Sequence, residues 1–183
     1  MTDPVLALAD FTADWLTNCL GRAGISGRVT HFAATPIGTG QVGATYRLTL
    51  SYDPALPAGP PTLVAKLPSN DALSRATGKT HMTYIRESRF YQLFAGKRPM
   101  AVPDHLYIAF DEDSHDFTLL MHDLPHHVPG NQLAVPSLQE AQWAMDAAAS
   151  IHAAWWGDPI LDQQDWLNGT KAVPPPLDGE ALY

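Results

Sequence analysis

The sequence predicts an α+β domain: an antiparallel five-stranded sheet with a helix between its third and fourth strands. Three observations predict it. Short extended runs, with period-two alternation in that from Ala44 to Tyr52, are separated by turn-forming residues. A helical stripe lies between the third and fourth of these runs. The 183-residue chain is 45% hydrophobic and 16% charged, with 5 Trp, 6 Tyr and 6 Phe, enough to bury a core without disulfides.

At the start, Thr2 or Asp3 can cap a helix with Pro4 at its first position. Val5, Leu8, Trp15, Leu16, Cys19 and Leu20 form its stripe, and Gly21 or Gly24 ends it. Residues 1–27 are read as this packing helix. Two strands follow, Arg28 to Ala34 and Ala44 to Tyr52; in the second, Tyr46, Leu48, Leu50 and Tyr52 alternate with Thr45, Arg47, Thr49 and Ser51. The Pro- and Gly-rich stretch DPALPAGPP is a surface loop leading to a third strand, Thr62 to Leu67. A polar stretch from Asn70 or Asp71 becomes helical over Met82 to Phe94, with Tyr84, Ser88, Tyr91 and Phe94 on one side and Gly96 as the stop. His105 to Phe110 and Phe117 to Met121 form a second hairpin around the acidic turn DEDSHD. Ser137-Leu-Gln-Glu140 is a capping box opening a long helix, whose expected buried stripe is Leu138, Ala141, Met145, Ala148, Ile151, His152 and Trp155. Gly157 and Pro159 end it; the remainder, through VPPPLDGEALY, carries little pattern.

The net charge of −8 argues against a partner whose phosphates must be neutralised along a nucleic acid. The charge is uneven: residues 1–100 carry ten bases and six acids, whereas residues 101–183 carry Lys171 against thirteen acids. The single cysteine, Cys19, cannot form an internal bridge, the first ten residues lack the bases of a signal peptide, and no apolar run approaches the roughly 20 residues that span a bilayer. These features predict a cytoplasmic chain with no membrane partner.

Chemistry is concentrated in three places. Gly38-Thr-Gly40-Gln-Val-Gly43 has the G-x-G-x-x-G spacing that lets backbone amides approach phosphate oxygens. A strand rather than a helix follows it, so the dinucleotide-binding context is wrong, and a glycine-rich hairpin turn with no ligand is the slightly better reading of this stretch alone. Lys66 sits in an apolar strand, where an ammonium needs solvent or an anion. Glu87 on the next helix is a candidate partner, although each residue alone reads better as a solvated surface charge. Their order carries the functional reading: glycine-rich hairpin, strand lysine, helix glutamate, then two strands ending in LLMHDL.

From about Pro36 to Trp166 the chain resembles the aminoglycoside phosphotransferase and choline-kinase-like superfamily, relatives of the protein kinases. The resemblance rests on IGTGQVGATYRL, LVAKLP, RESRFYQLF and VPDHLYIAFDEDSHDFTLLMHDL, followed by PGNQL and SIHAAWWGDP. It implies a kinase-like small lobe over residues 28–124, then a hinge, a linker and the first helix of an incomplete helical large lobe over 125–183. It also implies ATP-dependent transfer of the γ-phosphoryl group to a hydroxyl of a small molecule. Under it, Gly38, Gly40 and Gly43 cover the nucleotide, Lys66 contacts phosphates, Glu87 orients Lys66, and backbone groups from Met121 to Asp123 hold adenine.

Members of that family use H-x-D-x-x-x-x-N and a later metal-binding aspartate, and neither occurs here; His122-Asp123 and His152 lack the downstream asparagine. The expectation is therefore an N-terminal, ATP-binding portion with no catalytic residue of its own. Magnesium is expected only for the full-length family, its ligands lying outside this sequence. The alternatives are a non-catalytic kinase-like module acting with a partner chain that completes the large lobe, and an unrelated α+β binding domain. His122, His126 and His127 are read as linker histidines rather than a zinc site, and Trp143, Trp155, Trp156 and Trp166 as packing residues.

Overall fold

A computed structural model describes residues 3–38, 40, 42–98, 102–127, 130–131 and 133–167. Thr2, Thr39, Gln41, Pro129 and segment 168–183, all touched by the expectations above, lie outside the described residues.

The architecture is α+β: five antiparallel strands and four α-helices among the described residues. The strands are β1 (Val29–Pro36), β2 (Gly43–Tyr52), β3 (Thr62–Pro68), β4 (His105–Phe110) and β5 (Phe117–His122), in the spatial order β1-β2-β3-β5-β4. The third strand is thus central, between β2 and β5. The connection from β3 to β4 holds two helices, α2 (Ala72–Thr80) and α3 (Thr83–Leu93).

Period-two alternation gives the sheet two apolar faces. Leu48 and Leu50, then Leu63, Ala65 and Leu67, then Tyr107, Ala109 and Leu120 pack on one side against Leu16, Cys19 and Leu20 of α1 (Ala13–Arg22). On the other side Val64, Phe117, Leu119 and Met121 meet Tyr84 and Tyr91 of α3. Tyr84, Ser88 and Tyr91 recur at spacings of four and three, which places all three on the buried side of that helix.

The chain start departs from expectation. Helix α1 begins at Ala13, capped by Thr12, whose hydroxyl accepts the Trp15 N–H at 3.1 Å, and not near Pro4. Residues 3–7 instead run as a non-helical strap, closed by a single 3₁₀ turn at Leu8–Asp10. The reason is tertiary: the Leu6 N–H donates to Thr118 Oγ1 at 2.7 Å, the same hydroxyl donates to the Leu6 carbonyl at 2.8 Å, and the Tyr107 hydroxyl donates to the Pro4 carbonyl. Those bonds satisfy the strap's backbone on the sheet and outweigh the Pro4 start signal. Val5 and Leu8, expected on the helix stripe, pack on the same core from the strap.

Asp71 caps α2 through the Ser74 N–H at 2.8 Å, and Met82, in the left-handed region at φ 55°, breaks the path between α2 and α3. The polar stretch after β3 is therefore a helix of its own. The last helix, α4 (Leu138–Trp155), opens with the expected capping box: the Ser137 N–H donates to Glu140 Oε2 at 2.7 Å and Ser137 Oγ accepts the Glu140 N–H at 3.2 Å. Of its expected stripe, however, only Trp155 is buried. Leu138 is 86% and Met145 68% exposed, and Trp155 is the helix's buried residue. No described element covers the helix along its length; only its C-terminal end docks, Trp155 meeting the Phe94 ring edge-on at 4.8 Å and lying 4.1 Å beneath the Arg98 guanidinium. Trp143 and Trp156 are exposed, so they are not the packing residues expected, while Trp166 contacts Phe94 at 5.8 Å. Among the described residues no helix is long and apolar enough to cross a membrane.

Candidate functional site

Lys66 lies near the end of β3, with Thr45 of β2 and Leu119 of β5 as its lateral neighbours. Since Leu63, Ala65 and Leu67 fill the α1 side, Val64 and Lys66 point to the α3 side. Glu87 stands three residues after Tyr84 and four before Tyr91, on the face of α3 that meets the sheet. The two charges meet: Lys66 Nζ donates to Glu87 Oε1, with the lysine side chain 33% and the glutamate side chain 25% exposed. Strand lysine and helix glutamate are thus joined while the ammonium keeps access to solvent.

The glycine-rich segment is the turn of the β1–β2 hairpin, closed by the Ile37 N–H donating to the Thr45 carbonyl at 2.9 Å. Gly38 has φ +78°, open space where a Cβ would stand, and a conformation that an L side chain resists. Gly43 begins β2 opposite Pro68, two rows beyond the Thr45–Lys66 row. Gly40 lies in the turn between them.

At the other end of the same face, Met121 is buried beside Val64, and the Tyr91 hydroxyl reaches its Sδ at 3.9 Å. Burial, then the nearby Glu87 charge, pushes the Tyr91 hydroxyl up to about 12, so it stays protonated. Asp123 follows β5, and its side chain is only 5% exposed. Arg47, on β2 in the row of Val64, donates from Nε to Asp123 Oδ2 at 2.7 Å and from Nη2 to Oδ1 at 3.2 Å. Burial raises the Asp123 pKa, but hydrogen bonds from Arg47 and Thr62, with the guanidinium charge, outweigh it and hold the carboxyl below its ordinary value.

The face therefore reads in one direction as glycine turn, Lys66 with Glu87, Val64 between Arg47 and Met121, and Asp123 beside Thr62. From the Lys66 row to the Thr62 row is four residues, about 13 Å at strand rise. Of the seven residues singled out in the sequence, Lys66, Glu87, Met121 and Asp123 come together along this face, while Gly38, Gly40 and Gly43 lie in or next to the β1–β2 turn. Sequence reasoning missed Arg47 as the partner of Asp123 and Tyr84 as a hydrogen-bonding residue. Arg47 gave one signal, a charge in a period-two row that would share a face with Lys66; its partner lies 76 residues away.

Lys66, its side chain partly exposed, fits the oxygens of a phosphate chain as a charged donor. A metal ion is different: among the described residues no group of three or more His, Cys, Asp or Glu side chains stands together to hold one. Cys19, whose thiol burial pushes up to about 11, is no nucleophile.

Cavities lie elsewhere among the described residues. One of about 450 Å³ sits between the strap at Val5–Ala9 and Leu67 on the α1 side of the sheet, with its charges Arg75 and Asp116 paired to each other. Another, about 390 Å³, lies where Phe90 and Phe94 face Trp155 and Trp156. Lys66 and Glu87 line neither. Comparison with family models, curated proteins and solved structures found no match.

Proposed function

We propose that residues 28–124 form a kinase-like, nucleotide-binding small lobe. On this reading the chain is the ATP-binding portion of a phosphotransferase that moves the γ-phosphoryl group of ATP to a hydroxyl of a small molecule. The observation that carries it is the Lys66–Glu87 ion pair between the central strand and α3, on a face bounded by the glycine turn and the segment after β5. Lys66 neutralises nucleotide phosphates, Glu87 keeps its ammonium aimed along the face, and amides of the Gly38–Gly43 turn approach the phosphate oxygens. Backbone groups of Met121 to Asp123 hold the adenine edge, and the Arg47–Asp123 pair fixes their direction. The strand order β1-β2-β3-β5-β4, with helices inserted after β3, supports the same reading. A cytoplasmic setting goes with ATP use and a lone buried thiol.

Titration of the 183-residue chain with Mg-ATP, followed by calorimetry, tests it. Lys66→Ala is expected to weaken binding about tenfold or more, the usual size of a lost charge-assisted contact. An affinity that Lys66→Ala leaves untouched removes the site. A second reading, a non-catalytic kinase-like module paired with another chain, is favoured by one observation: Leu138, Trp143, Met145 and Ile151 of α4 are exposed.

A further inference from the structure

Three elements converge on the hydroxyl of Tyr84. It donates to the carbonyl of Val42, the residue before Gly43 in the glycine turn. It accepts the Ser69 N–H at 3.2 Å, in the connection from β3 to α2. A phenol has one proton to give, and here that proton and a lone pair are both used.

The ring is held as tightly as the hydroxyl. Tyr84 is 2% exposed, packs on Phe117 at 5.1 Å between ring centroids, and passes under α2 where a Cβ at Gly78 would stand 2.5 Å from its Cζ. Only glycine fits α2 at that approach. Glu87, the partner of Lys66, is less than one helical turn further along α3. Tyr84 and Glu87 ride on one rigid element, so the helix cannot shift against the sheet at Glu87 without moving the support of the Val42 carbonyl.

We propose that Tyr84 is a positioning residue that couples the glycine turn to the Lys66–Glu87 pair. Seating of the turn over nucleotide phosphates and the hold of Glu87 on Lys66 then change together. The inference rests on the nucleotide-binding reading for its purpose, but the coupling itself is a property of the chain without ligand.

Amide hydrogen exchange of the full chain tests the coupling through Glu87→Gln, Tyr84→Phe and the double variant. Glu87→Gln is expected to speed exchange at residues 42–45 about threefold or more when Tyr84 is intact. It should add nothing in the Tyr84→Phe background, where the turn is already released. Unchanged turn exchange in Glu87→Gln alone, which needs no Tyr84 variant to fold, overturns the proposal, as do additive effects in the double variant. A purely structural Tyr84 would give additivity. Adding Mg-ATP separates the two claims: bound nucleotide should slow the turn and α3 together in the parent chain, and the turn alone in Tyr84→Phe. Slowing of both elements by nucleotide in Tyr84→Phe would also count against coupling. Failure of the parent chain to bind Mg-ATP overturns the nucleotide reading and leaves the ligand-free cycle to decide the coupling.

Discussion

Asp123 carries a charge in a nearly closed site, and it does so because a planar guanidinium meets both of its oxygens. Its folded-state pKa lies below the unfolded value of about 3.9, so the stabilisation it supplies is complete above about pH 4 and fades as pH falls through the lowered value. Asp123→Asn is expected to lower the melting midpoint by about 2–4 °C at pH 7, with the gap to the parent chain closing below pH 4. Melting curves from pH 2.5 to 7 check this; a gap independent of pH would mean that the carboxylate's charge is not the cause. Ser88 is the opposite case, a fully buried hydroxyl with no hydrogen-bond partner among the described residues. Removing such a group recovers its desolvation cost, so Ser88→Ala should leave stability unchanged or raise it by up to about 1 kcal/mol in urea unfolding. Lys66 and Glu87 were legible as candidates because each is a charge among apolar neighbours on a predictable element. Arg47 was not, since its partner is chosen by strand order and not by any local spacing.

Helix α3 is the element on which the site depends: one side of it supplies Tyr84, Ser88 and Tyr91 to the core and Glu87 to Lys66. The close passage of α2 over Tyr84 makes Gly78 a control point. A Gly78→Ala methyl falls within 2.8 Å of the Tyr84 ring and hydroxyl atoms, and overpacking of that kind costs about 1–3 kcal/mol. Urea denaturation should show that loss, and the variant should also speed exchange at residues 42–45. A Gly78→Ala chain as stable as its parent would show that α2 and α3 have more room than these distances allow. The five strands were readable as short extended runs between turn-forming residues, with period-two alternation in β2, and α3 and α4 from their stripes and the Ser137–Glu140 capping box. The start of α1 was not. Thr118, a buried hydroxyl on β5, gives the strap's backbone two hydrogen bonds that no local pattern announces.

Across the whole molecule the sheet is covered on both faces, by α1 with the strap and by α3, whereas α4 is anchored only at its C-terminal end. Its sequence reads as a buried helix, and its Leu138, Trp143, Met145 and Ile151 side chains are in solvent. A surface of that kind attracts other apolar surface. The chain should bind a hydrophobic-surface dye and show a sedimentation coefficient that rises with concentration. Replacing Trp143 and Met145 by Gln should reduce both while leaving the melting transition in place; a parent chain that stays monomeric and binds no dye would argue against a partner on this face. The central claim concerns the sheet face from the glycine turn to Asp123. Mapping backbone amide resonances during addition of Mg-ATP tests it most directly. The account predicts shifts clustered at Gly43 to Thr45, Lys66, Glu87 and Met121 to Leu124. Shifts confined to the strap and Leu67 side of the sheet, or none at millimolar nucleotide, would contradict it.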